Sequence, residues 1–319
     1  MPRCLIAASL CEGFGFATLV PLLGAIDYVA SDGAAAPVAV VHRYVAHQGT
    51  ARDLLLGALA QALAQQLSVP TPLPPPEGAT SPVPAAVEHA IGGHLRIARA
   101  LAARLAALHL ALADADELAL RPEPFMPMHQ QSIYQAARAR LARVVDVLRR
   151  GDPAWPDETG ALAAAVVAAS PDLERALAQV QARPLRAVRI RCHGDLHLGQ
   201  VLYTGDDFIV IDLEGEPARP LRARRYKRSP LRDVATLTRS LAEVAAAALD
   251  GAPLRPSDRA TLGPWLDTWT AWMQRTVETT YVAAAAAVVP PAPDDQRLLL
   301  AFFAIELAVL EVELALRRA

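Results

Sequence analysis

Arg191-Cys192-His193-Gly194-Asp195-Leu196-His197-Leu198-Gly199-Gln200 is the stretch from which the rest of the chain can be read. Asp195 is followed five positions later by the amide of Gln200. Val201, Leu202 and Tyr203 then read as a strand, Thr204-Gly205-Asp206-Asp207 as a turn, and Phe208-Ile209-Val210-Ile211 as a buried return strand that delivers Asp212. A hairpin of this length folds Asp212 back towards Gln200. Two carboxylates and an amide carbonyl are hard oxygen donors, the set that suits Mg²⁺ and not zinc. Phosphoryl transfer needs such a set, because a metal must neutralise the phosphates while a carboxylate takes the proton of the attacking hydroxyl. The expectation is that Asp212 binds Mg²⁺, Gln200 completes the coordination through its carbonyl oxygen, and Asp195 is the base.

A lone Asp beside a glycine is most often an ordinary turn residue. The interval from Asp195 to Gln200, with a turn and an apolar strand in the right places, argues otherwise, because it repeats the spacing of the kinase loop H-R-D-x-x-x-x-N. His193 and His197 are four apart, which on a helix would make a metal pair. Gly194 and Gly199 argue for a loop instead, and His193 is read as a residue that fixes that loop.

Three segments carry a family resemblance: His193-Gly-Asp-Leu-His-Leu-Gly-Gln200, Ile211-Asp-Leu-Glu-Gly-Glu-Pro-Ala-Arg-Pro-Leu221, and Lys227-Arg-Ser-Pro-Leu-Arg-Asp-Val-Ala235. Together they resemble maltokinase, including the form fused to trehalose synthase. Leu105-Ala-Ala-Leu-His-Leu-Ala-Leu112, Pro122-Glu-Pro-Phe125 and Val20-Pro-Leu-Leu-Gly-Ala-Ile-Asp-Tyr28 extend the resemblance over most of the chain. It implies a mainly helical α+β fold, protein-kinase-like and of the aminoglycoside phosphotransferase type, with a helical large lobe, a catalytic β-hairpin and a remnant of the small lobe. The domains expected are residues 1–50 as small-lobe remnant and hinge, and 51–319 as large lobe with the catalytic loop at 191–216. The implied activity is transfer of the γ-phosphate of ATP, with Mg²⁺, to the anomeric hydroxyl of maltose or a similar small sugar. The product, maltose 1-phosphate, feeds α-glucan synthesis, and a trehalose synthase partner or fusion is implied with it. Asp233 resembles the helix-start aspartate that braces the catalytic loop in such kinases. Adenine would lie against backbone groups of the hinge, at Tyr44 and Val45, although the acidic run that usually follows is replaced by Ala46-His-Gln-Gly-Thr-Ala-Arg52.

The 31 Lys plus Arg include one lysine, Lys227. A kinase small lobe supplies a strand lysine to the phosphates and a helix glutamate to hold it; this chain has no lysine before position 227, and no acid near Arg3 to Ile6. Met1 to Phe16 reads as the tail of the small-lobe helix, and Gly13-Phe14-Gly15 lacks the strand-turn-strand setting of a phosphate loop. Three accounts fit: a fragment, a small lobe supplied by another polypeptide, or a catalytically weak paralogue. Losing lysine and phosphate loop forfeits positioning and electrostatic effects, each on the order of a hundredfold in rate. Acceptors such as aminoglycosides or choline, and a non-catalytic interaction module, are the alternatives. Glu214-Gly215-Glu216-Pro217 favours the maltokinase branch.

With 319 residues, 53% of them hydrophobic, the chain is long enough for one or two packed domains. A net charge of −2 gives no nucleic-acid signature. The basic run Arg219, Arg222, Arg224, Arg225, Lys227, Arg228 and Arg232 reads as a solvated face, with phosphate or sugar contacts as the alternative. Cys4, Cys11 and Cys192 make no disulfide framework, which fits a cytoplasmic protein. No stretch reads as a secretory leader or membrane span.

Helices are expected at Arg52–Leu67, Ala85–Ala115, Gln130–Arg150 and Gly160–Ala182, then from Leu231, Ser257 and Asp294, with Ser229 capping and Pro230 first. Val69–Pro84, with Pro70, Pro72, Pro74, Pro75 and Pro76, reads as a semi-rigid linker. Trp265, Trp269 and Trp272 share one helix face and read as core, with sugar stacking by Trp269 or Trp272 as the alternative. His109 and Tyr134 read as packing or hydrogen-bonding residues.

Overall fold

The computed structural model describes residues 19–31, 33, 35–78, 82–114, 119–215, 221–224 and 226–317. The expectations placed on Met1 to Phe16, on Cys4 and Cys11, on Glu216 to Arg219 and on Arg225 lie outside them. The architecture is mainly helical α+β, with three two-stranded sheets among eight helices in the described residues.

The chain divides into two compact units. One comprises Met1–Pro122 and Ile190–Val288, the other Glu123–Arg189 and Val289–Ala319. The first opens with the antiparallel pair β1 (Leu22–Val29) and β2 (Ala35–His42). Arg43 then donates its N–H to Pro21 O at 2.8 Å, closing the base of the hairpin. Helix α1 (Ala51–Ser68) starts at a reciprocal cap: Thr50 Oγ1 accepts the Asp53 N–H at 3.2 Å and Asp53 accepts that of Thr50 at 2.9 Å. Its buried residues, Ala51, Leu55, Leu59 and Leu63, recur every fourth position and form one apolar stripe.

Helix α2 (Ala85–Asp114) breaks at Ile91 (φ −133°, ψ 18°), just before Gly92-Gly93. Beyond it, Leu95, Ala98, Leu101, Ala102 and Leu105 are buried, and alanines in that stripe let α2 pack closely on α7 (Pro256–Ala284), against which α6 (Leu231–Gly251) also packs. Between α2 and these helices in sequence come β5 (Val201–Tyr203), β6 (Phe208–Val210) and the single turn α5 (Leu221–Arg224). The second unit holds the short pair β3 (Glu123–Pro124) and β4 (Val188–Arg189) with α3 (Pro127–Arg150), α4 (Asp157–Ala178) and α8 (Pro293–Leu316). There the Gln130 amide donates to Val180 O and Arg183 O and accepts from Leu185 N–H, so a buried amide sets the turn that follows α4.

Four local expectations change. Ser229 does not cap α6: Pro230 is the N-cap residue, with helical dihedrals and no side-chain bond, and the buried Ser229 hydroxyl has no hydrogen-bond partner among the described residues. The helix expected at Gly160–Ala182 starts at Asp157 and gives way after Ala178 to a 3₁₀ turn, Gln179–Gln181. That expected from Gln130 starts at Pro127, since proline needs no N–H partner in a first turn. The proline-rich stretch is not a free linker: Leu73 is buried, and Trp272 donates its indole N–H to Pro74 O at 2.7 Å, which makes residues 69–78 a strap on α7. Trp269 is 0% and Trp272 1% exposed, so their rings are committed to the core, and the sugar-stacking alternative falls.

Candidate active site

Hairpin β5–β6 pairs Val201 with Val210 and Tyr203 with Phe208, and it returns the chain to Gln200: Ile211 N–H donates to Gln200 O at 3.0 Å. Gly205 at the turn has φ +109°, a backbone conformation that favours glycine. Arg104 on α2 grips both carboxylate oxygens of Asp207 and holds the turn from behind. Asp212 follows with φ +59°, the only non-glycine left-handed residue among those described. That turn points its carboxylate at Gln200, whose Nε2–H donates to Oδ2 at 2.9 Å. Strain of this kind concentrates at functional sites.

The loop before the hairpin hangs on Asp233. Its carboxylate accepts the N–H groups of His193 at 2.7 Å and Gly194 at 3.0 Å, and it faces His109 Nε2 at 3.1 Å. His109 Nδ1 meets the Tyr281 hydroxyl at 2.7 Å. Asp233, His109 and Tyr281 are fully buried. Burial alone would raise Asp233, but the His109 bond and charge, the charge of His193 and the Gly194 amide outweigh it and bring its pKa down to about 2. Cys192 lies within reach of His109 and Asp233. Its thiol is engaged by the carbonyls of Ile190, Arg228 and Ser229, and the carboxylate is taken up by amides, so the group is a hydrogen-bonded core.

His193 links the two halves of the site. Its Nδ1 accepts the Asp195 N–H at 3.3 Å, and its Nε2–H donates to Ile211 O at 2.8 Å. One imidazole therefore spans from the backbone of Asp195 to the residue before Asp212. Burial holds its pKa below the ordinary histidine value against the nearby carboxylates, and the neutral Nε2–H tautomer is the one these bonds require. His197 turns the other way and accepts Gly199 N–H at 3.1 Å, so the two histidines do not converge. Arg232, 1% exposed, adds a bond from Nη1 to Gly194 O at 3.4 Å.

Beside Asp212 opens a cavity of about 350 Å³, lined by Val20, Val40, Leu202, Val210 and Leu213 and by His42 to Val45. Tyr44, Val45, Asp212 and Glu214 all line it. Apolar walls with a carboxylate among them suit a flat base carrying phosphates. The sequence reading took His109 as a packing or hydrogen-bonding residue, and its bonds to Asp233 and Tyr281 agree with that. It did not single out Tyr281, and it placed Arg232 in a solvated basic run, although that side chain is buried.

A loop hung on a helix-start aspartate and a hairpin that returns a second aspartate to an amide sit in a mainly helical α+β architecture that matches a kinase-like fold. The chain superposes on a glucosamine kinase solved with glucosamine, ADP and inorganic phosphate, with a TM-score of 0.74 at 20% identity over 99% of this chain and 68% of that one. A glucosamine kinase structure in another crystal form gives a TM-score of 0.71 at 19% identity, over 99% of this chain and 66% of that one. The chain therefore spans about two thirds of the length of these structures. In sequence, the glucosamine kinase of Mycolicibacterium smegmatis is 43% identical over 65 residues, which is 20% of this chain and 16% of that protein. No family model matches the chain.

Proposed function

We propose that this protein transfers the terminal phosphoryl group of ATP to a hydroxyl of a small sugar. The observation that carries the reading is the His193 ring, which joins the backbone of Asp195 to the strand end that presents Asp212. Gln200 Nε2 now donates to Asp212; with the amide turned over, its oxygen and the carboxylate would be hard donors fit for Mg²⁺. A bound Mg²⁺ would neutralise charge on the nucleotide phosphates. Asp195 takes the proton of the attacking hydroxyl, and Asp233 with His193 holds Asp195 in place through the loop backbone. Adenine lies in the cleft against Tyr44 and Val45. Residues 1–50 serve as hinge and small-lobe remnant, and 51–319 as the lobe that carries the chemistry.

Two acceptors have specific support. Maltose, phosphorylated at its anomeric hydroxyl towards α-glucan synthesis, rests on the motifs of residues 193–235 and brings with it the expectation of a trehalose synthase partner. Glucosamine rests on the structural neighbours and on the 65-residue segment of likeness. The test is ADP release from the 319-residue chain with Mg²⁺-ATP and each sugar in turn, beside Asp195→Asn. Sugar-dependent release that the substitution abolishes is the expected result. Release from neither sugar, or release that survives in Asp195→Asn, overturns the reading and leaves the non-catalytic module.

A further inference from the structure

Asp233, ionised, can only accept, so each of its three partners must bring a proton. The His193 and Gly194 amides do so at 2.7 and 3.0 Å, and His109 must therefore donate from Nε2 at 3.1 Å. On the far side of that ring the Tyr281 hydroxyl meets Nδ1 at 2.7 Å, with the rings edge to face and their centroids 5.6 Å apart. Among the described residues the phenol has no other hydrogen-bond partner, so donation to Nδ1 is the arrangement that leaves no buried proton unpaired. Burial, with Cys192 and Asp233 adding to it, holds the phenol pKa well above its ordinary value, so the proton stays on oxygen.

The hydroxyl does what packing cannot: it selects a tautomer. Were the proton on Nδ1 instead, Nε2 would turn a lone pair on the carboxylate, and Asp233 would lose one donor and face a repulsion while still carrying both loop amides. Tyr281, His109 and Asp233 are fully buried, so bulk water offers no substitute. Helix α7, which brings Tyr281 in, is pinned two turns earlier. There Gln274 donates its Nε2–H at 3.0 Å to Thr238 O on α6, the helix in whose first turn Asp233 lies.

We infer that Tyr281 is a positioning residue for phosphoryl transfer: its hydroxyl fixes the His109 tautomer that completes the Asp233 brace, and so sets where the loop backbone holds Asp195. The inference rests on the phosphotransfer reading for its effect on rate, whereas its effect on the loop can be measured without turnover. Tyr281 touches no reacting atom and passes on no proton. It acts through His109 and Asp233 alone.

The test compares two variants of the 319-residue chain, each checked for fold by circular dichroism and melting. Tyr281→Phe keeps the ring and deletes the hydroxyl; Trp272→Phe deletes a donor of the same helix that serves Pro74 instead. In Tyr281→Phe, amide exchange at His193 and Gly194 should quicken and kcat for sugar phosphorylation should fall, each by about tenfold, the scale of one buried hydrogen bond. KM for ATP and for the sugar should stay as in the wild type, and Trp272→Phe should move none of these quantities. Unchanged exchange at the two amides in Tyr281→Phe, an equal change in Trp272→Phe, or a loss confined to KM overturns the inference. The wild type alone supplies a check that misfolding of a variant cannot spoil: nitrogen-15 spectra of the histidine rings should show His109 protonated at Nε2 and bare at Nδ1, and a proton on Nδ1 overturns the inference. A wild type without sugar-dependent ADP release refutes the phosphotransfer reading, while the exchange rates and the tautomer still decide by themselves whether Tyr281 holds the loop.

Discussion

Both ring nitrogens of His193 are committed, one to the Asp195 amide and one to Ile211 O, so the distance between the Asp195 backbone and the Asp212 turn is set by a rigid aromatic ring. Protonating the ring would turn Nδ1 from acceptor to donor and push the Asp195 amide away. Because its folded pKa lies below the ordinary value, the stability His193 contributes is complete above about pH 6.5 and declines as pH falls below it. Asp233 acts in the same direction at lower pH: its contribution is present above about pH 4 and is lost as pH falls through its folded value of about 2. Melting curves between pH 2 and 8 should show both losses, and Asp233→Asn should flatten the lower one while lowering stability at neutral pH. Asp195→Asn should leave melting unchanged and cut sugar-dependent ADP release by roughly 10²–10⁴-fold, the range for a general base. The approach of Gln200 to Asp212 was legible from spacing, because a hairpin turns sequence interval into distance. The pairing of His109 with Tyr281 was not, because it forms only when α2 and α7 pack, and no local pattern encodes that meeting.

At the scale of elements, apolar periodicity located the helices well and their ends less well. The caps account for the difference: Ser229 has the chemistry of an N-cap, but Pro230 adopts helical dihedrals itself and displaces it. The proline-rich stretch misled for a related reason. Proline content predicts extended backbone correctly, but it carries no information about the indole donor 198 residues away in sequence that fixes Pro74. Trp272→Phe keeps most of the ring and deletes that donor. It should cost about 1 kcal/mol, the net worth of one hydrogen bond, and speed limited proteolysis between residues 69 and 84, with phosphotransfer unchanged. Equal cleavage rates in the two proteins would mean that the strap is held by Leu73 instead.

For the whole molecule, composition excluded a nucleic-acid partner signature, and among the described residues no helix is long and apolar enough to cross a membrane. Composition carried no trace of the division into two units, because each draws its residues from two separate stretches of chain. Every residue assigned to the site belongs to the first unit. Hydrogen–deuterium exchange with Mg²⁺-ATP should therefore gain protection at residues 42–48 and 195–215 and leave α3 and α4 unchanged; protection centred on α3 or α4 would place the nucleotide elsewhere. The floor of the cleft is bolted down by Arg104 on Asp207 and by the backbone pairing of Gln48 and Gly49 with Tyr203. Its roof, the β1–β2 hairpin, is joined to that floor near its base, through the bridge from Leu19 to Val210 and through residues 43–50. Eight residues of strand make a lever about 27 Å long, so a swing of about 10° at the base carries the far end, at Val29 and Ala35, through about 5 Å. The geometry is that of a lever: a small change of angle beside Leu19 is magnified at the hairpin tip, while the pairing of Gln48 and Gly49 with Tyr203 anchors the other side.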